Sequence, residues 1–297
     1  MDTPCLSTLQ ALLLILKARE AAPKRGYYYR SWMTVVQCVQ MGKDLGLDKH
    51  FLGHETGRPC DSCPLECRMK TRIWQAVFAC ETMIGAPQGR LLDMAVDLAT
   101  VDFGMPEFVG LPDEDPDIIV SRNFTYFVRV IRNIRKMGQV YGRLGEQVEW
   151  ALEPDFTQLN FIFDSWLAEL PPDLSVNLLS DECSIPALPS TFHGNLLSYY
   201  HLSLILLHWP QLAVTDCFSR RAEWKAHMLI CNRSAKAICR LQEAVIKRGG
   251  LLGLQSMLRG HSFSIYAGLT CIALHLVRPT FGCQLAALPL LVLLLLL

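Results

Sequence analysis

The run from Phe192 to Leu212, FHGNLLSYYHLSLILLHWPQL, limits the fold more than any other stretch, because a helix built from it is apolar nearly all round. Such a helix must sit inside a sizeable bundle, not on its edge. Ser190 or Thr191 stands where a cap is needed, and Pro210 is expected to stop the helix. Elsewhere the apolar residues recur at three- and four-residue spacing. Ile73, Trp74, Val77, Phe78 and Ile84 share one face; Phe127, Ile131, Ile134, Tyr141, Leu144 and Val148 share another over roughly eight turns; Trp224, Met228, Cys231, Ala235, Ile238 and Val245 mark a third. The expected fold class is all-α, a multi-helix, bundle-like domain with long irregular loops.

The boundaries of the helices are written in glycine and proline. TPCLSTLQALLLILKARE has no positive leader and no small-residue cleavage site, so it reads as a core helix and not as a signal peptide. Tyr27 to about Leu45 follows, with Trp32, Val35, Val36, Val39 and Met41 expected on its buried side and Gly46 ending it. GAPQG must terminate the helix that carries Trp74, in which Glu66 and Lys70 stand one turn apart and can pair. The acidic, proline-rich stretch Pro106 to Pro116 reads as a surface loop. Further helices are expected from about Ser121, over Phe156 to Leu170, up to Gly249-Gly250, and from about Ser262 to Leu276, with a loop from Asp173 to Pro189.

The charge balance excludes one class of function. Lys plus Arg and Asp plus Glu number 28 each, so the chain lacks the basic excess that grips nucleic acid unaided. With 51% hydrophobic residues among 297, it can bury a large core. Its 12 cysteines are scattered, several on apolar helical faces (Cys38, Cys80, Cys231, Cys239, Cys271), and fit reduced, buried thiols better than disulfides.

Three groups of residues invite a chemical reading. His50, His54, Cys60, Cys63 and Cys67 fall within one short stretch, and Cys60 and Cys63 have CxxC spacing. The favoured reading is a surface loop with incidental thiols and no metal; the alternative is a structural zinc held by His54, Cys60, Cys63 and Cys67. Arg122, Arg129, Arg132, Lys136 and Arg143 form a basic stripe that could meet phosphate or an acidic partner, though a solvated helix face is the more ordinary explanation. His193, His201 and His208 have no acidic or thiol partner at helical spacing and are assigned to packing. No catalytic or cofactor-binding residue is assigned, because GxxxxGK(S/T), GxGxxG after a strand, GxSxG and HExxH are all missing.

Several of these segments carry a resemblance. ECRMKTRIWQAVFACETMIGAPQGR, Glu66 to Arg90, resembles the signature of the fungal-specific transcription factor domain, the regulatory middle region of fungal zinc-cluster activators. SWMTVVQCVQMGKDLGLDKH matches the landmark before it, a helix closing on the turn Leu45, Gly46, Leu47. LLDMAVDLATVDFGMPE is similar to the extended acidic segment after it, with Asp97, Val101, Asp102 and Pro106 in place. Tyr200-His201 and Ile205 to Pro210 match the family's buried helix. The likeness runs from about residue 5 to 277, and its specificity lies in the order and spacing of the motifs.

The resemblance implies a single regulatory domain over 1–277, lacking its first part, with 278–297 as a hydrophobic, low-complexity tail outside the fold. It also implies a nuclear, non-enzymatic protein that controls RNA polymerase II transcription. Promoter DNA would be reached only through an N-terminal six-cysteine zinc cluster that this sequence does not contain, and zinc would be expected only there. A homodimer and a small-molecule or protein effector are the other partners implied. The leucine tail is too short to span a bilayer and is interrupted by Pro289, so a membrane is not expected. Two alternatives stay open: a helical scaffold or interaction protein unrelated to transcription, and a membrane-tethered helical protein if the tail anchors.

Overall fold

The computed structural model of the chain describes residues 3–21, 25–58, 60, 62–90, 93–105, 116–144, 154–178, 185–214, 221–256 and 258–276. Among them the only regular structure is helical, as the spacing of apolar residues requires. The helices are α1 (Leu6–Ala21), α2 (Tyr27–Asp44), α3 (Leu47–Glu55), α4 (Pro64–Gly85), α5 (Pro116–Leu144), α6 (Pro154–Ala168), α7 (Thr191–Val214), α8 (Arg221–Leu254) and α9 (Gly260–Leu276). The chain divides into two compact units, Met1–Arg132 and Asn133–Leu297, with the boundary inside α5.

In the first unit α2 packs on α1, α3 and α4, and α4 is the central element. Its expected apolar face is buried throughout: Ile73, Trp74, Val77, Phe78 and Ile84. The α2 face is narrower than its sequence implies. Trp32, Val35 and Val39 are buried, but Val36 is exposed and Met41 only half-buried, because the stripe drifts round the helix. Gly46 ends α2 in the left-handed conformation (φ 72°) and at once opens α3, a short helix where a loop was expected. The close approach of α2 and α4 depends on Gly42: a Cβ there would lie 2.6 Å from the Trp74 ring.

The segment after α4 is folded onto it by polar contacts. A 3-10 turn at Ala86–Gln88 and the left-handed Gly89 end α4. The buried Glu81 carboxylate then accepts from the Ala95 N–H at 2.6 Å and the Val96 N–H at 3.2 Å. Trp74 Nε1–H donates to Thr100 Oγ at 3.0 Å, and Gln75 donates to the Asp102 carbonyl at 2.7 Å. The expected extended segment is therefore not a strand in residues 93–105; it has extended backbone at Asp97 and Val101 around a 3-10 turn at Leu98–Thr100.

In the second unit α7 packs mainly on α8, which also holds α9, while α6 lies on α7. Trp166 stacks on Tyr200 with ring centroids 5.3 Å apart, and Tyr199 stacks on Phe263 at 3.9 Å. α7 does not stop at Pro210; it continues to Val214. Pro210 lacks the N–H that would bond to the Leu206 carbonyl, and the Tyr141 hydroxyl donates to that carbonyl instead, at 3.1 Å, and to Leu207 at 3.0 Å. Gly250 (φ 62°, ψ −162°) breaks the helical backbone of α8 where Gly249-Gly250 was expected to end it, but helix resumes to Leu254. Cys38, Cys80, Cys231 and Cys271 are buried free thiols as expected, whereas Cys239 is exposed. Val148, the loop residues 106–115 and the tail 278–297 lie outside the described residues. No helix among the described residues is long and apolar enough to cross a membrane.

Candidate functional site

The nine residues of α3 put His50 and His54 one turn apart, so their rings share one face of the helix. The Nε2 atoms lie 3.3 Å apart. Chain reversal between α3 and α4 begins at Thr56, whose backbone N–H returns to Leu52, and passes through the left-handed Gly57. Pro64 at the first position of α4 fixes where the next helix begins. Cys60 in this connection and Cys67 in the first turns of α4 then meet the two imidazoles. Cys60 Sγ lies 3.8 Å from His50 Nε2 and 3.5 Å from Cys67 Sγ, and the ligand atoms of His50, His54, Cys60 and Cys67 all fall within 4.8 Å of one another.

The group differs at one position from the zinc set weighed as the alternative to an incidental loop. His54, Cys60 and Cys67 come together, but Cys63 does not; His50 takes its place. Cys63 precedes Pro64 and is held extended (φ −67°, ψ 159°) as the residue capping α4. Its exposed side chain lines a different cavity. The signal for His50 was its four-residue spacing from His54, which counts only once the segment is known to be helical.

The site's electrostatics are set by the two sulfurs. The backbone N–H of Ser62 and the hydrogen bond to Cys67 hold the Cys60 thiol below its usual range, while desolvation and the neighbouring Cys60 push Cys67 up to about 11. Cys67 also donates to the Ser62 carbonyl at 3.6 Å. Lys70 pairs with Glu66 at 3.0 Å and donates to Ser62 Oγ at 2.6 Å, fixing the connection from the α4 side. Burial, then His54 and Lys70, lower the His50 pKa and favour its neutral, ligating form.

Two cavities flank α4 in the same unit. One, of about 340 Å³, is lined by His50, His54 and Cys67 together with Arg72, Gln75 and Asp102. The other, of about 640 Å³, has mostly apolar walls from Leu13, Leu65, Met69, Ile73, Val120 and Phe124, within the range of small-molecule sites.

The basic stripe is only half-exposed and already employed. Arg129 donates to the Phe103 carbonyl at 2.8 Å, Arg132 lies over the Phe103 ring at 4.9 Å, Arg122 donates to Asn123 Oδ1 at 3.1 Å, and Lys136 is half-buried. The Arg143 side chain lies outside what is described. Beyond the stripe, α5 buries Val128, Val130, Asn133 and Arg135 as well as Phe127 and Ile131, so it is covered on more than one side.

The α7 histidines pack, as expected. His193 Nε2–H donates to the Asp173 carbonyl at 2.9 Å, which leaves Nδ1 to accept the Ser190 hydroxyl at 2.8 Å. His208 pairs with His227 of α8, Nδ1 to Nδ1, at 2.9 Å, and His201 faces Ser234 at 3.5 Å. Compared with family models, curated proteins and solved structures, the chain has no match.

Proposed function

We propose that this chain is a non-enzymatic regulatory domain of the fungal zinc-cluster activator kind, acting in the nucleus on RNA polymerase II transcription. One observation carries the reading: segments that resemble the family's landmarks are tied to one another through their landmark residues. Trp74 of the signature helix abuts Gly42 in the helix that closes on Leu45-Gly46-Leu47, and it donates to Thr100 in the acidic segment. Glu81, from the same helix, anchors Ala95 and Val96 of that segment. A chance likeness of loose motifs gives no reason for the three to form one core.

The output of such a domain is a shift between helical packings when an effector binds one of them better. The mostly apolar cavity of about 640 Å³ against α1, α4 and the start of α5 is where a small apolar effector would act, since filling it presses on the helix that organises the unit. DNA contact belongs to an attached zinc-cluster module. Long-read sequencing of the native transcript upstream of Met1 tests that attachment. An in-frame segment encoding six clustered cysteines is the expected result. A transcript that starts at Met1 would remove direct DNA binding and leave the interaction-protein reading in front.

A further inference from the structure

We propose that His50, His54, Cys60 and Cys67 bind one zinc(II) ion in a closed, tetrahedral site of two sulfurs and two nitrogens that staples α3 to the start of α4.

Distances carry it. Zinc holds a thiolate sulfur at about 2.3 Å and an imidazole nitrogen at about 2.0 to 2.1 Å; at tetrahedral angles these lengths put two nitrogens about 3.3 Å apart, sulfur and nitrogen about 3.6 Å, and two sulfurs about 3.8 Å. In the chain the nitrogens of His50 and His54 are 3.3 Å apart, Cys60 Sγ is 3.8 Å from His50 Nε2, and the two sulfurs are 3.5 Å apart. These three edges differ from those of a zinc tetrahedron by no more than a few tenths of an ångström, and the other three lie within 4.8 Å, with the four atoms brought from two helices and the connection between them.

The donor set selects the ion. Thiolate and imidazole together suit zinc and disfavour magnesium or calcium, which take oxygen ligands. Four protein ligands fill the coordination shell and leave no open position, so the ion has a structural role and no catalytic one. On binding, two neutral thiols lose their protons to solvent and two neutral imidazoles give lone pairs. The complex carries no net charge, two protons are released, and no oxidation state changes.

The staple has a mechanical consequence. A helix as short as the nine residues of α3 has little stability of its own. His50, Phe51 and His54 wall the cavity of about 340 Å³, so fixing α3 to Cys67 also fixes that wall.

The test uses the full chain, stripped with chelator under reducing conditions and titrated with zinc(II) against a chromogenic chelator, then with cobalt(II). The expected result is one equivalent per chain, with the thiolate charge-transfer and strong visible bands of tetrahedral cobalt. Cys60→Ser and His50→Ala abolish the stoichiometric ion and those bands; Cys63→Ser, in the same connection but outside the cluster, leaves both intact. Cys60 lies outside every helix among the described residues, so its serine variant removes a ligand without placing a substitution in a helix. Less than one equivalent on the unmodified chain would overturn the proposal. So would binding that survives Cys60→Ser but is lost in Cys63→Ser, or a Cys60–Cys67 disulfide as the state of the chain in reduced, zinc-containing buffer.

Discussion

Gly194 shows how tightly single residues are constrained in the α7–α8 packing. A Cβ there would fall 2.4 Å from Val245 Cγ2 and 2.8 Å from Leu188 Cδ1, so neighbours on two sides would have to move. Gly194→Ala should therefore cost about 1–3 kcal/mol. Gly268→Ala, in α9 with nothing within 4 Å of the new Cβ, should be neutral or should stabilise by up to about 1 kcal/mol. Urea unfolding of the two variants side by side checks the contrast, and equal losses would contradict it. The same scale explains why the ligand set was half-legible. Spacing alone pointed to CxxC, yet Pro64 holds Cys63 outward as a cap, and a cap is a backbone role that a cysteine count does not reveal. Glu81 was not foreseen at all, because a buried carboxylate answering the Ala95 and Val96 N–H groups fourteen and fifteen residues on leaves no local pattern.

Among the elements, long amphipathic helices were legible from their three- and four-residue repeats, and α3 was not. It has few apolar residues and only Leu47 buried, so its helical character comes from the two turns that bracket it. Pro210 misled for the opposite reason: proline ends a helix by leaving a carbonyl without its donor, and here a distant residue supplies the donor. This makes a coupled prediction. Tyr141→Phe removes the hydroxyl that meets Leu206 and Leu207 and should cost about 1–3 kcal/mol. In a Pro210→Ala background the restored N–H can reach Leu206, so the same change should cost clearly less. A double-mutant cycle measured by chemical unfolding reads the difference, and strict additivity would refute the role given to Tyr141.

For the whole molecule, burial lowers the folded pKa of both His201 and His208 to about 4, with His227 adding to the effect on His208. An imidazole in the unfolded chain titrates near 6.5, so between those values the unfolded state takes up more protons and stability falls as pH falls. Each histidine contributes stabilisation on the order of 3 kcal/mol that is present above pH ~6.5 and lost toward pH ~4. Thermal unfolding followed from pH 7 downward should show the melting temperature dropping already above pH 5, where most carboxylates are still ionised; a flat profile down to pH 5 would contradict the assignment. The proposed regulation of transcription is a property of the whole chain. Its most direct test places residues 1–297 between a heterologous DNA-binding module and an activation segment in a fungal cell and measures reporter transcription at matched protein level. If the chain is regulatory, output changes about fivefold or more relative to the same fusion without the chain, and Gly42→Trp, which forces α2 from α4, cancels the change. Output that is the same with the chain, without it and with the variant would contradict the regulatory reading.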